Sequence, residues 1–331
     1  MVNFRATVLG AGMWGVVLAQ QLAGKKARVR LWEFVPSLAA TLTRTRRHAH
    51  VPGLRLDGSV VVTDDLAMAC RDAELLIFAL PSTVLAATAR KIRGLALVSA
   101  RARAVNAAKG VEPVTLSTMG DVIERELPAL RKQVWTLTGP SFAREVAQGI
   151  PTCLMLGGPG GAAAVTLARL FTGGALRVEL SRDRVGVELG GSLKNAIAIG
   201  AGILDGLGTG ANTKAALLVR GLAEMGRLIS ARGGRADTIY GLAGLGDLIA
   251  TGTSAQSRNR TFGEKLGRGL TPARALAQIP TVVEGLEAVA CARQLCRRHK
   301  VNAPLIDSIW RATRGADARG VLTALGFRPG E

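Results

Sequence analysis

A short apolar run at residues 6–9 leads directly into GAGMWG (residues 10–15), and residues 16–22 then continue with helical spacing. Strand, G-x-G-x-x-G and helix in that order leave few folds open, because each glycine answers a separate steric demand. Gly10 permits a tight turn off the strand, Gly12 lets backbone approach a pyrophosphate, and Gly15 lets the helix pack closely on the strand. The first turn of such a helix offers unsatisfied N–H groups and the positive end of its dipole, which suits phosphate oxygens. The starting expectation is therefore a parallel sheet with crossover helices that binds a dinucleotide.

The spacing predicts further strands at residues 27–32, 60–63, 75–80, 103–107, 134–138, 152–156 and 176–180. Helical stretches separate several of them, the alternation of a doubly wound sheet, and ligands in such sheets gather at the carboxyl ends of the strands. That rule draws attention to Pro81, Lys109 and the turn containing Gly139, Pro140 and Ser141. Beyond about Arg184 no alternating strand pattern recurs. Helices are expected at residues 185–204, 213–233, 237–242, 245–251, 258–268, 271–278, 282–300 and 304–314. The fold class expected is α/β, with an N-terminal Rossmann-type doubly wound sheet over residues 1–184 and an all-α C-terminal domain over residues 185–331.

Composition narrows the function classes. At 331 residues the chain is long enough for two hydrophobic cores. A net charge of +19 invites a nucleic-acid reading, but the arginines are scattered, with short groups only at residues 44–47 and 297–300, and aromatics for stacking bases make up just 4%. A solvated basic surface that attracts a small anionic substrate is the better reading, with no nucleic-acid partner. Four cysteines form no C-x-x-C pair and three histidines add no ligand cluster, so no metal is expected and the thiols suit a reducing, cytoplasmic setting. No run approaches the ~18 apolar residues of a membrane span, and the N-terminal stretch lacks the plan of a signal peptide.

Three groups in the second half could carry chemistry. Lys194 sits inside GGSLKNAIAIGAG (residues 190–202), which otherwise reads as buried helix, so its ammonium must be paired, snorkelling to water, or held for proton transfer. Asp247 lies in GLAGLGDL and is either a helix cap or a partner for a cation. Arg258 and Asn259, in QSRN, are either surface groups or a phosphate grip. In the first half Glu33 ends the second strand about 20 residues after the glycine loop, where an acid accepts from ribose hydroxyls and disfavours a 2′-phosphate. This leans toward NAD, while Arg44, Arg46 and Arg47 leave NADP open, and Glu33 could equally be an ordinary solvated strand end.

GAGMWG, NAAKG, LTGPSFAREVAQGIPT, VELGGSLKNAIAIGAGILDGLG, GLAGLGDL, QSRNRTFG and VVEG occur in an order that resembles the bacterial NAD(P)-dependent glycerol-3-phosphate dehydrogenases, from about Ala6 to about Leu325. The resemblance implies hydride transfer between NAD(P)H and dihydroxyacetone phosphate, giving sn-glycerol 3-phosphate for phospholipid synthesis. It implies Lys194 as proton donor and acceptor, Asp247 as its orienting carboxylate, and Lys109 as a lysine reaching substrate and cofactor. Gly139, Ser141, Asn195, Ser257, Arg258 and Asn259 match substrate-binding positions. Met13, Trp14, Ala143, Arg258, Val282 and Glu284 match cofactor contacts beside Gly10, Gly12, Gly15 and Glu33.

The chain departs from the family pattern at Met13, where many relatives carry serine, and at Trp32, Glu33 and Phe34, where a basic residue is common. It departs again in TGTSAQ (residues 251–256), which replaces a cysteine-containing form. The resemblance leaves a homodimer open. Two other readings remain at this point: a related ketopantoate or hydroxyacid reductase, which needs no phosphate grip, and a non-catalytic dinucleotide sensor that binds nucleic acid.

Overall fold

The computed structural model describes residues 4–327; the outermost residues of both expected domains, 1–3 and 328–331, lie outside the described residues. Among the described residues eight strands form one sheet: β1 (Arg5–Leu9), β2 (Arg28–Trp32), β3 (Val61–Thr63), β4 (Leu75–Phe78), β5 (Arg103–Asn106), β6 (Val134–Thr138), β7 (Thr152–Gly157) and β8 (Leu176–Ser181). Their spatial order is β3-β2-β1-β4-β5-β6-β7-β8, parallel throughout except for the antiparallel β6–β7 pair. The expected doubly wound sheet is thus present, and the order reverses between β1 and β4, the switch point at which such sheets bind ligands.

Both faces of the sheet are covered, and the period-2 alternation of side chains explains how. Ala6, Val8, Leu75, Ile77, Val105, Trp135 and Leu137 point into one apolar cluster with helices α1 (Met13–Ala23), α2 (Pro36–Thr45) and α7 (Ala162–Phe171). Leu9, Leu76, Phe78, Ala104 and Val134 point into the other, with α3 (Leu66–Cys70), α4 (Ser82–Gly94) and α5 (Met119–Glu126). The short helix α6 (Ala143–Ala147) follows β6.

The chain divides into two compact units, Met1–Lys109 with Met119–Arg184, and Gly110–Thr118 with Val185–Glu331. The second is helical, as expected: α8 (Arg184–Gly206), α9 (Gly210–Ala231), α10 (Asp247–Thr253), α11 (Arg258–Gly267), α12 (Pro272–Ala277), α13 (Gly285–Arg298), α14 (Pro304–Thr313) and α15 (Gly320–Ala324). Its excursion from the first half, Gly110–Thr118, buries Val111 and Leu116 in the helical core and is tied to α8, where Ser192 Oγ accepts from the Gly110 N–H at 2.9 Å. The helix α15 had no counterpart in the expected series.

Two local departures from the expected helices have physical causes. The helix expected at 237–242 is instead a 3₁₀ segment (Ala236–Tyr240) followed by a π-helical turn (Leu242–Gly246), while the helix expected at 245–251 is present two residues later as α10. A Cβ on Gly244 would stand 2.0 Å from the Ile239 carbonyl oxygen, so this glycine-rich turn closes too tightly for a regular α-helix. At the other site, α13 begins at Gly285 rather than at 282, leaving Val282 75% exposed, because the Gly285 N–H is taken by Asn259 Oδ1.

Close approach of glycines also sets the centre of the helical unit. Added Cβ atoms on Gly202 and Gly206 of α8 would fall 1.9 Å from Arg260 O and 2.2 Å from Glu264 O. Those on Gly263 and Gly267 of α11 would fall 2.0 Å from Ile199 O and 2.2 Å from Ile203 O. The two helices pack backbone to backbone, which only glycine at all four positions permits.

Candidate functional site

The candidate residues gather into two constellations, one in each unit. In the helical unit the organising element is α8. Gly190 packs on the π-helical turn, where a Cβ would stand 3.2 Å from Ala243 O. Lys194 is one turn further along the same face, and so points at the start of α10, which that turn leads into. Its Nζ donates to Asp247 Oδ1 at 2.9 Å and contacts Thr251 Oγ1, which also donates to Asp247 Oδ1 at 3.3 Å. Lys194, Asp247 and Thr251 are 4%, 3% and 4% exposed. An ammonium this deeply buried is tolerable only with a charged partner in good geometry, which disposes of the snorkelling alternative.

Beside this cluster, Asn259 Nδ2 donates to Asn195 Oδ1 at 2.9 Å, and Asn259 Oδ1 accepts from the Gly285 N–H at 2.9 Å. A Cβ on Gly285 would be 2.7 Å from Asn195 O, so the amide chain is closely confined. Ser257 caps α11, its Oγ accepting from Arg260 N at 3.2 Å. The two arginines of QSRNR separate by their partners. Arg260 is committed to Asp205 at 2.7 Å and Glu264 at 3.3 Å, whereas half-buried Arg258 has no paired carboxylate among the described residues. Arg258 and the first-turn amides of α11 together make a cationic N-terminus suited to a phosphate. Val282 and Glu284 lie exposed in the loop ahead of α13.

In the sheet unit, the turn after β1 has the steric profile of a pyrophosphate cradle. Gly10 has φ +101°, and a Cβ there would be 2.6 Å from Ala79 O, in the loop following β4. Gly15 would collide with Gly10 O at 1.9 Å, whereas a Cβ on Gly12 meets nothing within 4 Å. Two glycines are thus demanded by packing and the third faces open space, as a site kept clear for a ligand requires. Gly12 caps α1 without a side-chain bond, leaving the amides at Met13 and Trp14 unblocked by a cap, and both these side chains are half-buried. These residues fit a nicotinamide dinucleotide.

Glu33 Oε2 accepts from Ala11 N at 3.2 Å and Oε1 from Val35 N at 3.0 Å, so its carboxylate is fixed against the glycine turn. Further along the sheet, Lys109 Nζ donates to Gly139 O at 3.4 Å, and Ser141 Oγ donates to the same oxygen at 3.1 Å. Gly139 has φ +142°, and Ala143 opens α6 just beyond it. Two residues outside the expected set contribute. Thr251 joins Lys194 and Asp247 from one turn along α10, a spacing of four that could have been read from the sequence. Buried Asn106 bridges Ala108, accepting from its N–H at 3.0 Å and donating to its carbonyl at 3.1 Å, and so shapes the turn that carries Lys109.

Comparison with known proteins covers nearly the whole chain. Residues 5–162 match the family model of the NAD-dependent glycerol-3-phosphate dehydrogenase N-terminus, and residues 183–319 that of its C-terminus. The chain belongs to the NAD-dependent glycerol-3-phosphate dehydrogenase family. Glycerol-3-phosphate dehydrogenase (NAD(P)+) 2 of Lactobacillus delbrueckii subsp. bulgaricus is 38% identical, over 97% of this chain and 96% of its own length. The corresponding protein of Geobacter metallireducens is 42% identical over 92% of this chain and 91% of its own. The crystal structure of glycerol-3-phosphate dehydrogenase from Coxiella burnetii is similar with a TM-score of 0.91 at 33% identity, covering 98% of this chain and 99% of that one. For a glycerol-3-phosphate dehydrogenase family member, no helix among the described residues is long and apolar enough to cross a membrane, and no group of His, Cys, Asp and Glu among them could hold a metal ion.

Proposed function

We propose that this chain is an NAD(P)-dependent glycerol-3-phosphate dehydrogenase, interconverting dihydroxyacetone phosphate and sn-glycerol 3-phosphate and supplying the glycerol phosphate backbone of phospholipids. The observation that carries the reading is the buried Lys194 Nζ–Asp247 Oδ1 contact at 2.9 Å, in a chain both of whose halves match that family. When bound, the coenzyme supplies the hydride that reduces the substrate's carbonyl carbon, or accepts it in reverse.

Lys194 Nζ gives a proton to the carbonyl oxygen as charge develops there, and takes it back in the oxidative direction. Asp247 Oδ1 and the Thr251 hydroxyl hold the ammonium in one orientation, so little reorganisation accompanies the transfer. Arg258 and the amides at the start of α11 bind the substrate phosphate, and the amide chain of Asn195 and Asn259 keeps that helix end in register with α8. The phosphate grip separates this reading from a ketopantoate reductase, whose substrate has no phosphate.

The deciding assay follows coenzyme oxidation by the purified protein, with dihydroxyacetone phosphate and with ketopantoate. Turnover with the phosphate ester supports the reading, and turnover with ketopantoate alone refutes it. A protein that bound dinucleotide and nucleic acid without turning over either substrate would be the non-catalytic sensor instead.

A further inference from the structure

We propose that the cavity where α13 turns into α14 is a second anion site, which takes a small phosphorylated molecule and shares no residue with the catalytic cluster or the grip at α11. The basic group at residues 297–300 has no part in the dehydrogenase chemistry, yet it borders a cavity of about 350 Å³ in the helical unit. Four charged residues line that cavity: Arg293 and Arg297 of α13, Lys300 from the loop after it, and Asp307 of α14. Apolar side chains such as Val301 and Ile306 complete the wall. The volume lies at the small end of ligand pockets, which run from about 300 to 1,000 Å³, and so suits a short phosphate ester or a pyrophosphate rather than a dinucleotide.

Arg293 is the preorganised member of the set. Its Nε donates to Asp307 Oδ1 at 2.6 Å, and its guanidinium lies 3.5 Å from the ring centre of Trp310. The ion pair and the stacking hold the fork in one orientation, while its two Nη groups have no hydrogen-bond acceptor among the described residues. A planar fork fixed in this way, with its outer N–H groups available, matches two oxygens of a phosphoryl group.

The acids nearby are already engaged. Asp307 is the one carboxylate in the lining, and its second oxygen accepts from Arg311 Nε at 2.7 Å. Glu224 of α9 is turned onto the amides of Leu305 and Ile306. Arg297 and Lys300 are exposed and pair with no carboxylate among the described residues. Arg297 stands one turn beyond Arg293 on the same face of α13, and like charges at that spacing repel. A bound anion relieves that repulsion and uses the N–H groups that the protein leaves open.

Inorganic pyrophosphate is the probe, titrated by calorimetry into the full chain carrying Arg258→Ala, so that the grip at α11 does not contribute. Sodium chloride at matched ionic strength gives the baseline for simple screening. The parent should bind pyrophosphate above that baseline, and adding Arg297→Ala with Lys300→Ala should weaken binding by about tenfold or more, on the order of one lost hydrogen bond to a charged group. Any binding elsewhere is common to both proteins, so the difference between them reads this cavity. The two substituted side chains have no carboxylate partner, so the melting temperature should be unchanged. Arg293→Lys keeps the charge and removes the fork, and should also bind more weakly. No binding above the chloride baseline, or equal affinity with and without Arg297→Ala and Lys300→Ala, would overturn the assignment, and neither result bears on the dehydrogenase reading.

Discussion

Replacing Asp247 with alanine separates the energetic role of the buried pair from its chemical one. Lys194 and Asp247 side chains are 6% and 4% exposed and meet at 2.9 Å, so the variant buries an ammonium without the carboxylate it faces. Removing one partner of such a pair costs about 3–5 kcal/mol. For a unit of roughly 150 residues, each kcal/mol moves the melting temperature by about 2–4 °C, so a fall of about 6–20 °C is expected in scanning calorimetry. The cavity left by the missing side chain contributes to that fall as well. It is common to Asp247→Ala and to the double variant Asp247→Ala, Lys194→Met, so comparing the two reads the charge alone. The double variant should recover about 2 kcal/mol or more while remaining inactive. If it melts no higher than Asp247→Ala, the loss of that carboxylate from beside the ammonium is not the source of the instability, and the argument from burial collapses. Lys194→Met by itself should lower turnover roughly 10²-fold or more with coenzyme affinity retained.

Arg258→Ala should raise KM for dihydroxyacetone phosphate by tenfold or more, on the order of one lost charge-assisted contact, with little change in melting temperature. Arg260→Ala should do the reverse, because its guanidinium is committed to Asp205 and Glu264, and steady-state kinetics beside thermal melts distinguish the two. Gly263→Ala places a methyl 2.0 Å from Ile199 O and should destabilise the helical unit by about 3 kcal/mol. Gly12→Ala meets nothing within 4 Å, so chemical denaturation should show near-normal stability while calorimetry shows weakened coenzyme binding. Glu224 caps the start of α14, accepting from Leu305 N at 2.8 Å and Ile306 N at 2.9 Å, and burial raises its pKa. A carboxyl whose pKa is raised in the folded state contributes stability that is lost as pH rises through that value. Melting curves of the unmodified chain against Glu224→Gln should therefore shift in favour of the unmodified chain as pH is lowered from neutral toward the ordinary carboxylate range.

The sheet was legible because its signals are local. Apolar runs of strand length, punctuated by glycine and separated by helical stretches, place all eight strands within a residue or two, and the glycine loop announces the switch point between β1 and β4. The antiparallel turn of β7 against β6 was not legible, since strand direction depends on pairing and leaves no mark on periodicity. Helices in the second half were readable where the apolar repeat is unbroken, as in α8 and α14. They were misread where glycines compress the backbone, as at residues 237–246, because a π-helical turn is imposed by what packs against it.

For the site, the sequence by itself determined the inventory: a cation within a buried helical run, an acid after a glycine-rich turn, an Arg-Asn pair, and a glycine loop followed by an acid. Only the tertiary structure decided which of these act together. Gly190 on the π-helical turn brings Lys194 onto Asp247 and adds Thr251, and the partners of Arg260 distinguish it from Arg258 two residues away. The carboxylate of Glu33 is turned onto the amides of Ala11 and Val35, and the excursion Gly110–Thr118 packs with the helices rather than with the sheet that precedes it. The reason is physical. Residue type and spacing prescribe what a segment can form and which groups it carries, whereas pairing between segments distant in sequence depends on close packing and on which buried polar groups find partners.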